Sequence, residues 1–314
     1  MKSIIGVFSA AVLLASTLSA QAPGQPAGQG RGGRGQPPDP RSAGGGQCAA
    51  NPYNCVDAAN PLRPPDTVWL EEMTWMDVRD AMKAGKTTII ISTGGIEPNG
   101  PWLALGKHNY VLRANCDAIA RKLGNALCAP IIPLVPEGSI DPKSSHMITV
   151  GTISMREETF QAMLTDVAHS LKMHGFQNII LIGDSGGNQA GMKAVAETLN
   201  ARWNGSPVVA HISEYYDYNS VGKFLDQIGV TKEGQAGDNL HDDPGITMNM
   251  FITDPQSVRW DARVKAGKAT INGVSIADKA KTLETAKKIV SQNPSHTVSP
   301  PLRKGGLGGG ARQS

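Results

Sequence analysis

Residues 178–188 read NIILIGDSGGN. Ile179-Ile180-Leu181-Ile182 is apolar without alternation, so a strand there hides both of its faces. A glycine turn, Gly183 to Gly187, follows at once, and a helical pattern then runs to Trp203. A strand buried on both faces belongs in a parallel sheet covered by helices. The same order of elements repeats outward from this stretch. Thr87–Thr93 (TTIIIST), Ile131–Val135 and Val208–Ile212 are further strand candidates, and Pro133 suggests an edge or a bend in the second. Trp75 to Ala84 reads as a helix between Thr74 as N-cap and Gly85 as stop. Asn109 to Leu123 reads as another, ended by Gly124. Ser154 with Glu157 spells a capping box before the stripe Phe160, Met163, Leu164, Val167, Leu171. Ser275 and Asp278 open a last helix with Ile276, Ala280, Leu283 and Ile289 on one side. The expectation is a single α/β domain, mostly parallel, with helices on both faces of the sheet. Such sheets place the ligand site outside the carboxyl ends of their strands. That rule selects two loops, 94–108 and 183–188.

The domain is bounded by stretches that cannot build a core. Of 314 residues, 40% are hydrophobic and 18% charged, which excludes a disordered chain, and the glycines lack the period of a collagen. Lys2, the apolar run Ile4 to Leu18 and Ala20-Gln21-Ala22 predict a secretory signal over 1–22. Residues 23–46 are a Gly/Pro/Gln/Arg leader and 296–314 a glycine-rich tail, leaving 47–295 as the folded unit. Lys2, Arg31, Arg34, Arg41, Arg303, Lys304 and Arg312 against Asp39 account for more than the whole net charge of +3. The folded unit is therefore net acidic and offers no basic field for nucleic acid. After signal cleavage no membrane span remains, so the expected location is periplasmic or secreted, with a small-molecule substrate. The cysteines fall into two close pairs, Cys48/Cys55 and Cys116/Cys128, which in an exported chain predicts two local disulfides.

Gly183-Asp184-Ser185-Gly186-Gly187 also spells the nucleophile motif of trypsin-like proteases. Those are all-β enzymes with a histidine in a TAAHC-like segment, and here the motif joins a strand to a helix. The same residues match G-x-S-x-G, the nucleophile elbow of α/β-hydrolases, in its required strand-turn-helix context. Ser185 is then the nucleophile. Asp217, Asp226, Asp238 or Asp243 supplies the acid, and His241 or His296 the base.

A third reading uses more of the chain. From Trp69 onward the sequence resembles the creatininase (creatinine amidohydrolase) family. Gly95-Ile96-Glu97-Pro98-Asn99-Gly100-Pro101 through Gly106-Lys107-His108 lies over a family segment like G-S-x-E-Q-H-G-P-H-L-P-L-x-T-D. Gly138-Ser139, His146 and Gly151-Thr152-Ile153-Ser154 resemble its G-x-S…H…G-T-I-S stretch. His174-Gly175-Phe176 and Gly183 to Asn188 resemble H-G-F…N-G-H-G-G-N, and Asp243-Pro244-Gly245 falls where the family has H-A-G-E. The resemblance runs in order to about Pro255. It implies a hydrolase of the C–N bond of a small or cyclic amide, in which two divalent ions activate a water. It also implies a homo-oligomer.

The glycine scaffold is kept while the implied ligands change. Glu97 keeps the first acidic ligand. Asn99 replaces a histidine, His108 the bridging aspartate, and Ser185 another histidine, while Ile246 stands at the HAGE glutamate. The expected metal ligands are Glu97, His108, Asp184 and Asp243, with Asp184, Ser185 and His146 as catalytic candidates; His241 and Asp242 lie in the same loops. A rebuilt site of this kind takes Zn or Mn. A decayed one takes no metal and leaves a non-catalytic ligand-binding relative. Trp102, Tyr215, Tyr216 and Tyr218 are candidates to line the mouth.

Overall fold

The computed structural model describes residues 47–232 and 240–292. The predicted signal, leader and tail lie outside the described residues, as do Asp238 and His296. The described residues before Leu62 form a small unit of their own. There a 3-10 turn, Pro52–Asn54, is capped by the Asn51 side chain, and Cys48 is bonded to Cys55.

From Leu62 onward the chain builds a four-stranded parallel sheet. The strands are β1 (Thr88–Thr93), β2 (Ala126–Cys128), β3 (Asn178–Gly183) and β4 (Val208–His211), in the order β2-β1-β3-β4. Helix α1 (Trp75–Lys83) precedes the first strand, and α2 (Lys107–Leu123), α3 (Glu157–Met173) and α4 (Gln189–Trp203) lie between the strands. The step from β1 to β2 runs one way across the sheet, and the steps to β3 and β4 run the other. Right-handed crossovers then put α2 on one face and α3 and α4 on the opposite one. The packing agrees. Leu112, Cys116 and Ile119 of α2 cluster with Ile90 and Ile182. Phe160, Leu164, Met192 and Leu199 of α3 and α4 cluster with Ile89, Ile91, Ile179 and Leu181. Cys116 and Cys128 join α2 to β2 as a disulfide. The register pairs Thr93 with Gly183, so β1 and β3 end level where the strand order reverses.

A third apolar cluster lies beyond α2. It gathers Val111 of α2 with α5 (Tyr218–Gln227), α6 (Pro244–Thr253), α7 (Trp260–Lys265), the hairpin β5 (Thr270–Ile271) with β6 (Val274–Ser275), and α8 (Lys279–Gln292). Among the described residues no helix is long and apolar enough to cross a membrane.

Two local expectations fail. The second strand forms at Ala126–Cys128, not at 131–135. Pro130 and Pro133 remove ladder donors there, leaving only single bridges from Ile132 to Thr93 and from Val135 to Ser154. Ser154 does not cap α3. Its hydroxyl donates to Gly138 O at 2.7 Å and accepts from Glu137 N at 2.8 Å, while the N-cap position is Arg156, without a side-chain cap. The Thr74 capping box of α1 forms as read, with Asp77 as its partner.

Candidate metal centre

Two loops meet where β1 and β3 end. After Thr93 the chain must turn with almost no room beside it. A Cβ on Gly94 would lie 1.8 Å from Asn109 Oδ1, and one on Gly95 would lie 2.2 Å from Glu137 Oε1. Asn188, the last residue of the GDSGGN loop, donates through Nδ2 to Thr93 O and Gly94 O at 3.0 and 2.9 Å, fastening the two loops together. A third loop, 136–146, is brought in by Ser154 and by close packing. A Cβ on Gly187 would come 2.4 Å from Pro136 O.

These turns bring ionisable side chains together in the interior. Asp184 Oδ2 lies 2.8 Å from His108 Nδ1, and His108 Nε2 lies 2.8 Å from Glu97 Oε1. Burial alone pulls the His108 pKa down. The bonds to Asp184 and Glu97 outweigh it and raise it to about 9, so the ring is an imidazolium. Lys107 Nζ sits 3.2 Å from the same Glu97 oxygen and donates to His241 O at 3.1 Å. Burial works to raise the Glu97 carboxyl, but His108 and Lys107 together hold it well below the usual carboxylate range. Its other oxygen, Oε2, lies 2.9 Å from His146 Nδ1, which is also 3.0 Å from Glu137 Oε2. Glu137 Oε1 is buried without a hydrogen-bond partner. Burial, then the charge of Glu97, push the Glu137 carboxyl up to about 7 against the pull of His146.

His241 completes the cluster from the far side. Its Nδ1 lies 2.9 Å from Pro98 O. A carbonyl can only accept, so Nδ1 carries the proton and Nε2 presents a lone pair. That lone pair faces Glu97 Oε1 at 3.7 Å. Burial, and then Lys107, lower the His241 pKa and keep the ring neutral. Two acceptors facing each other is an arrangement that a cation satisfies. Glu97, His146 and His241 each offer one donor atom, and these lie within 4.8 Å of one another. An ion at roughly 2.0–2.2 Å from each donor needs them no more than about 4.4 Å apart, so a small adjustment of the side chains brings all three onto one ion. The residues present thus fit one divalent ion, with Glu137 beside it.

The predicted residues divide as follows. Glu97, His108, Asp184 and His146 converge. Both ring nitrogens of His108 are engaged by carboxylates, so neither is free for an ion. Asp243 lines the same cleft, and its Oδ1 accepts from Gly245 N and Ile246 N as the cap of α6. Its neighbour Asp242 pairs with the buried Arg263. Ser185 is buried against the cleft with ordinary extended backbone (φ −118°, ψ 145°), not the strained turn of a nucleophile elbow. Among the described residues no histidine hydrogen-bonds its hydroxyl. Lys107 and Glu137 escaped the sequence reading. Glu137 directly precedes the Gly138-Ser139 pair that carried part of the resemblance, and Lys107 directly precedes His108.

The cluster forms the floor of a cleft of about 510 Å³. Tyr216 and Tyr218 line its wall. Tyr215 and Trp102 do not, since the Tyr215 hydroxyl accepts from Asn115 in the interior and Trp102 lines a separate cavity of about 10 Å³.

The family model described as creatininase (creatinine amidohydrolase) matches residues 71–298. No curated protein matches. Among solved structures, the chain is similar to a creatinine amidohydrolase (creatininase) at 18% identity and TM-score 0.55, covering 74% of this chain and 96% of that one. It is similar to a manganese creatininase at 19% identity and TM-score 0.54, covering 75% and 100%. It is also similar to a mutant creatininase of zinc–zinc type at 20% identity and TM-score 0.53, covering 74% and 96%.

Proposed function

The chain belongs to the creatininase family, and on that premise we propose that it hydrolyses the C–N bond of a small or cyclic amide at a site built for one divalent ion, Zn or Mn. Glu97, His146 and His241 would hold the ion. The observation that carries this reading is their convergence within 4.8 Å at the carboxyl ends of β1 and β3, with a buried, unpartnered carboxylate oxygen of Glu137 alongside. When bound, such an ion polarises an amide carbonyl and makes a nearby water more acidic.

The protein's own residues supply the rest. Glu137, with a carboxyl that titrates near 7, takes a proton on Oε1 from the attacking water and returns it to the departing nitrogen. Asp184 fixes the His108 ring, and His108 with Lys107 fixes the Glu97 carboxylate. A cleft of about 510 Å³ edged by tyrosines suits a small molecule. Two disulfides, together with the signal pattern over 1–22, support an exported enzyme in an oxidising compartment. The Ser185 mechanism has less support, because among the described residues no histidine bonds the serine, and its backbone is extended rather than a strained turn.

The test is metal analysis of protein purified without chelator, joined to a hydrolysis screen over linear and cyclic amides. Glu97→Gln is expected to lose metal and activity together. Labelling of Ser185 by a fluorophosphonate probe, with activity indifferent to chelation, would replace this reading with the serine hydrolase. Bound metal with no hydrolysis of any amide would leave a binding protein.

A further inference from the structure

We propose that the loop 134–153 docks on the same loop of a second copy of this chain, forming a two-fold dimer beside the cleft. The inference goes beyond the metal reading and does not depend on it.

Exposure is the first argument. Eleven large hydrophobic side chains are exposed among the described residues, and five of them, Leu134, Ile140, Ile148, Val150 and Ile153, come from this one stretch. Ile148 is 69% exposed and Val150 93%. Scattered singly, such residues need no explanation; gathered on one loop, they mark a contact surface. The loop does not show them by hanging loose. Ser139 N donates to Ser144 Oγ at 2.9 Å and Ser144 N to Ser139 O at 3.1 Å, closing one turn. Thr149 N and Thr152 Oγ1 donate to His146 O at 3.0 and 2.7 Å, closing a second. Ile153 N donates to Ile96 O at 3.2 Å and ties the end of the loop to the segment after β1. Ile148 and Val150 lie between these fastenings and are held out in water rather than folded in.

The occupant follows from charge and from what the rest of the chain offers. Residues 23–46 and 233–239 contain no hydrophobic side chain larger than alanine or proline, and 293–314 contain only Val298, Leu302 and Leu307. Those segments carry too little apolar surface to cover the loop. Asp141 and Lys143 are exposed on either side of Pro142, and among the described residues neither has an ion-pair partner. In a two-fold contact each residue of a pair appears once on each side, so one acid and one base on a single loop complement themselves. Asp141 of one copy then meets the partner's Lys143, and the reverse pair forms with it. A lipid surface, by contrast, favours apolar side chains ringed by cations alone, and Asp141 opposes that. Gly138, Ser145 and His146 of the same loop line the cleft, so the contact braces one of its walls.

The experiment is sedimentation velocity of the full chain over a dilution series, with hydrogen exchange at both ends of the series. A dimer is expected, with protection over 138–153 that fades on dilution. Val150→Asp should raise the dimer dissociation constant about thirtyfold or more, the loss typical of a central contact residue. Ile148→Asp, at a second exposed position, should act in the same way. Asp141→Lys sets like charges against each other and should weaken the dimer severalfold, and Asp141→Lys/Lys143→Asp should restore it. Circular dichroism verifies that each variant is folded. A chain that stays monomeric throughout overturns the inference; if it also pellets with phosphatidylcholine vesicles while Val150→Asp does not, the occupant is a lipid surface. A dimer indifferent to both apolar variants lies on another face and overturns it. A double reversal no better than the single one overturns the pairing of the loop with itself.

Discussion

Glu137 offers a test in which removing a charge should strengthen the protein. Its carboxyl is 3% exposed, and burial with the neighbouring Glu97 raises its pKa from 4.5 to about 7. Above pH 4.5 the unfolded chain gives up this proton while the folded chain keeps it. The folded state therefore binds more protons between 4.5 and 7, and stability falls as pH rises through that window. At about 1.4 kcal/mol per pH unit, the accumulated loss by pH 8 is roughly 3 kcal/mol. Glu137→Gln keeps the shape and removes the titration. In the chelator-treated protein the variant should lose about 2.5 kcal/mol less than the natural chain between pH 5 and pH 8, measured by urea denaturation. His108, held up at about 9, imposes a further fall between pH 6.5 and 9 in both proteins and cancels in the comparison. Saturating Zn²⁺ should reverse the order, because the natural chain then has a cation beside the carboxylate. Parallel pH–stability curves for the two metal-free proteins would refute the argument.

Arg263 is 1% exposed and pairs with Asp242 while donating to Lys268 O and Thr270 O. Arg263→Met should cost about 3–5 kcal/mol in urea denaturation, and Asp242→Leu in the same chain should recover much of it. Gly187→Ala drives a methyl against Pro136 O, so it should cost about 1–3 kcal/mol and lower kcat by shifting Glu137. Ser185→Ala should leave metal content unchanged and keep most of the amide hydrolysis, assayed alongside Glu97→Gln, which should lose both.

The sheet was legible because its strands announce themselves. Ile89 to Ile91 and Ile179 to Ile182 are apolar on both faces, and the GDSGGN loop follows the second run directly. β2 was not, since Ala126-Leu127-Cys128 is only three residues long and the more apolar 131–135 beside it is broken by Pro133. α6 was missed for a different reason. It is buried all round from Pro244 to Phe251, so it shows no stripe to read. In the site, Glu97, His108 and Asp184 were found from loop position together with the family resemblance. Glu137 was not, because a glutamate between proline and glycine looks like a solvated loop. His241-Asp242-Asp243 resembled a hydrated charge run, yet the three residues diverge. His241 adopts a left-handed backbone (φ +55°) and turns to Glu97, Asp242 turns to Arg263, and Asp243 caps α6. Such divergence leaves no trace in residue type.

The anchoring of His241 decides how quickly an ion could leave. Glu97 and His146 hang from loops of the sheet, whereas His241 is tethered through Asp242 and Asp243 to α7 and α6, whose apolar cluster is separate from those under the strands. An ion held by all three is a cross-link between two hydrophobic clusters. Its off-rate should then follow local opening of the α6–α8 layer while the central strands stay closed. Amides of α6 should gain hydrogen-exchange protection on metal binding, and those of β1 and β3 should not. Mutations that loosen the α6–α8 layer should speed metal release without touching a ligand.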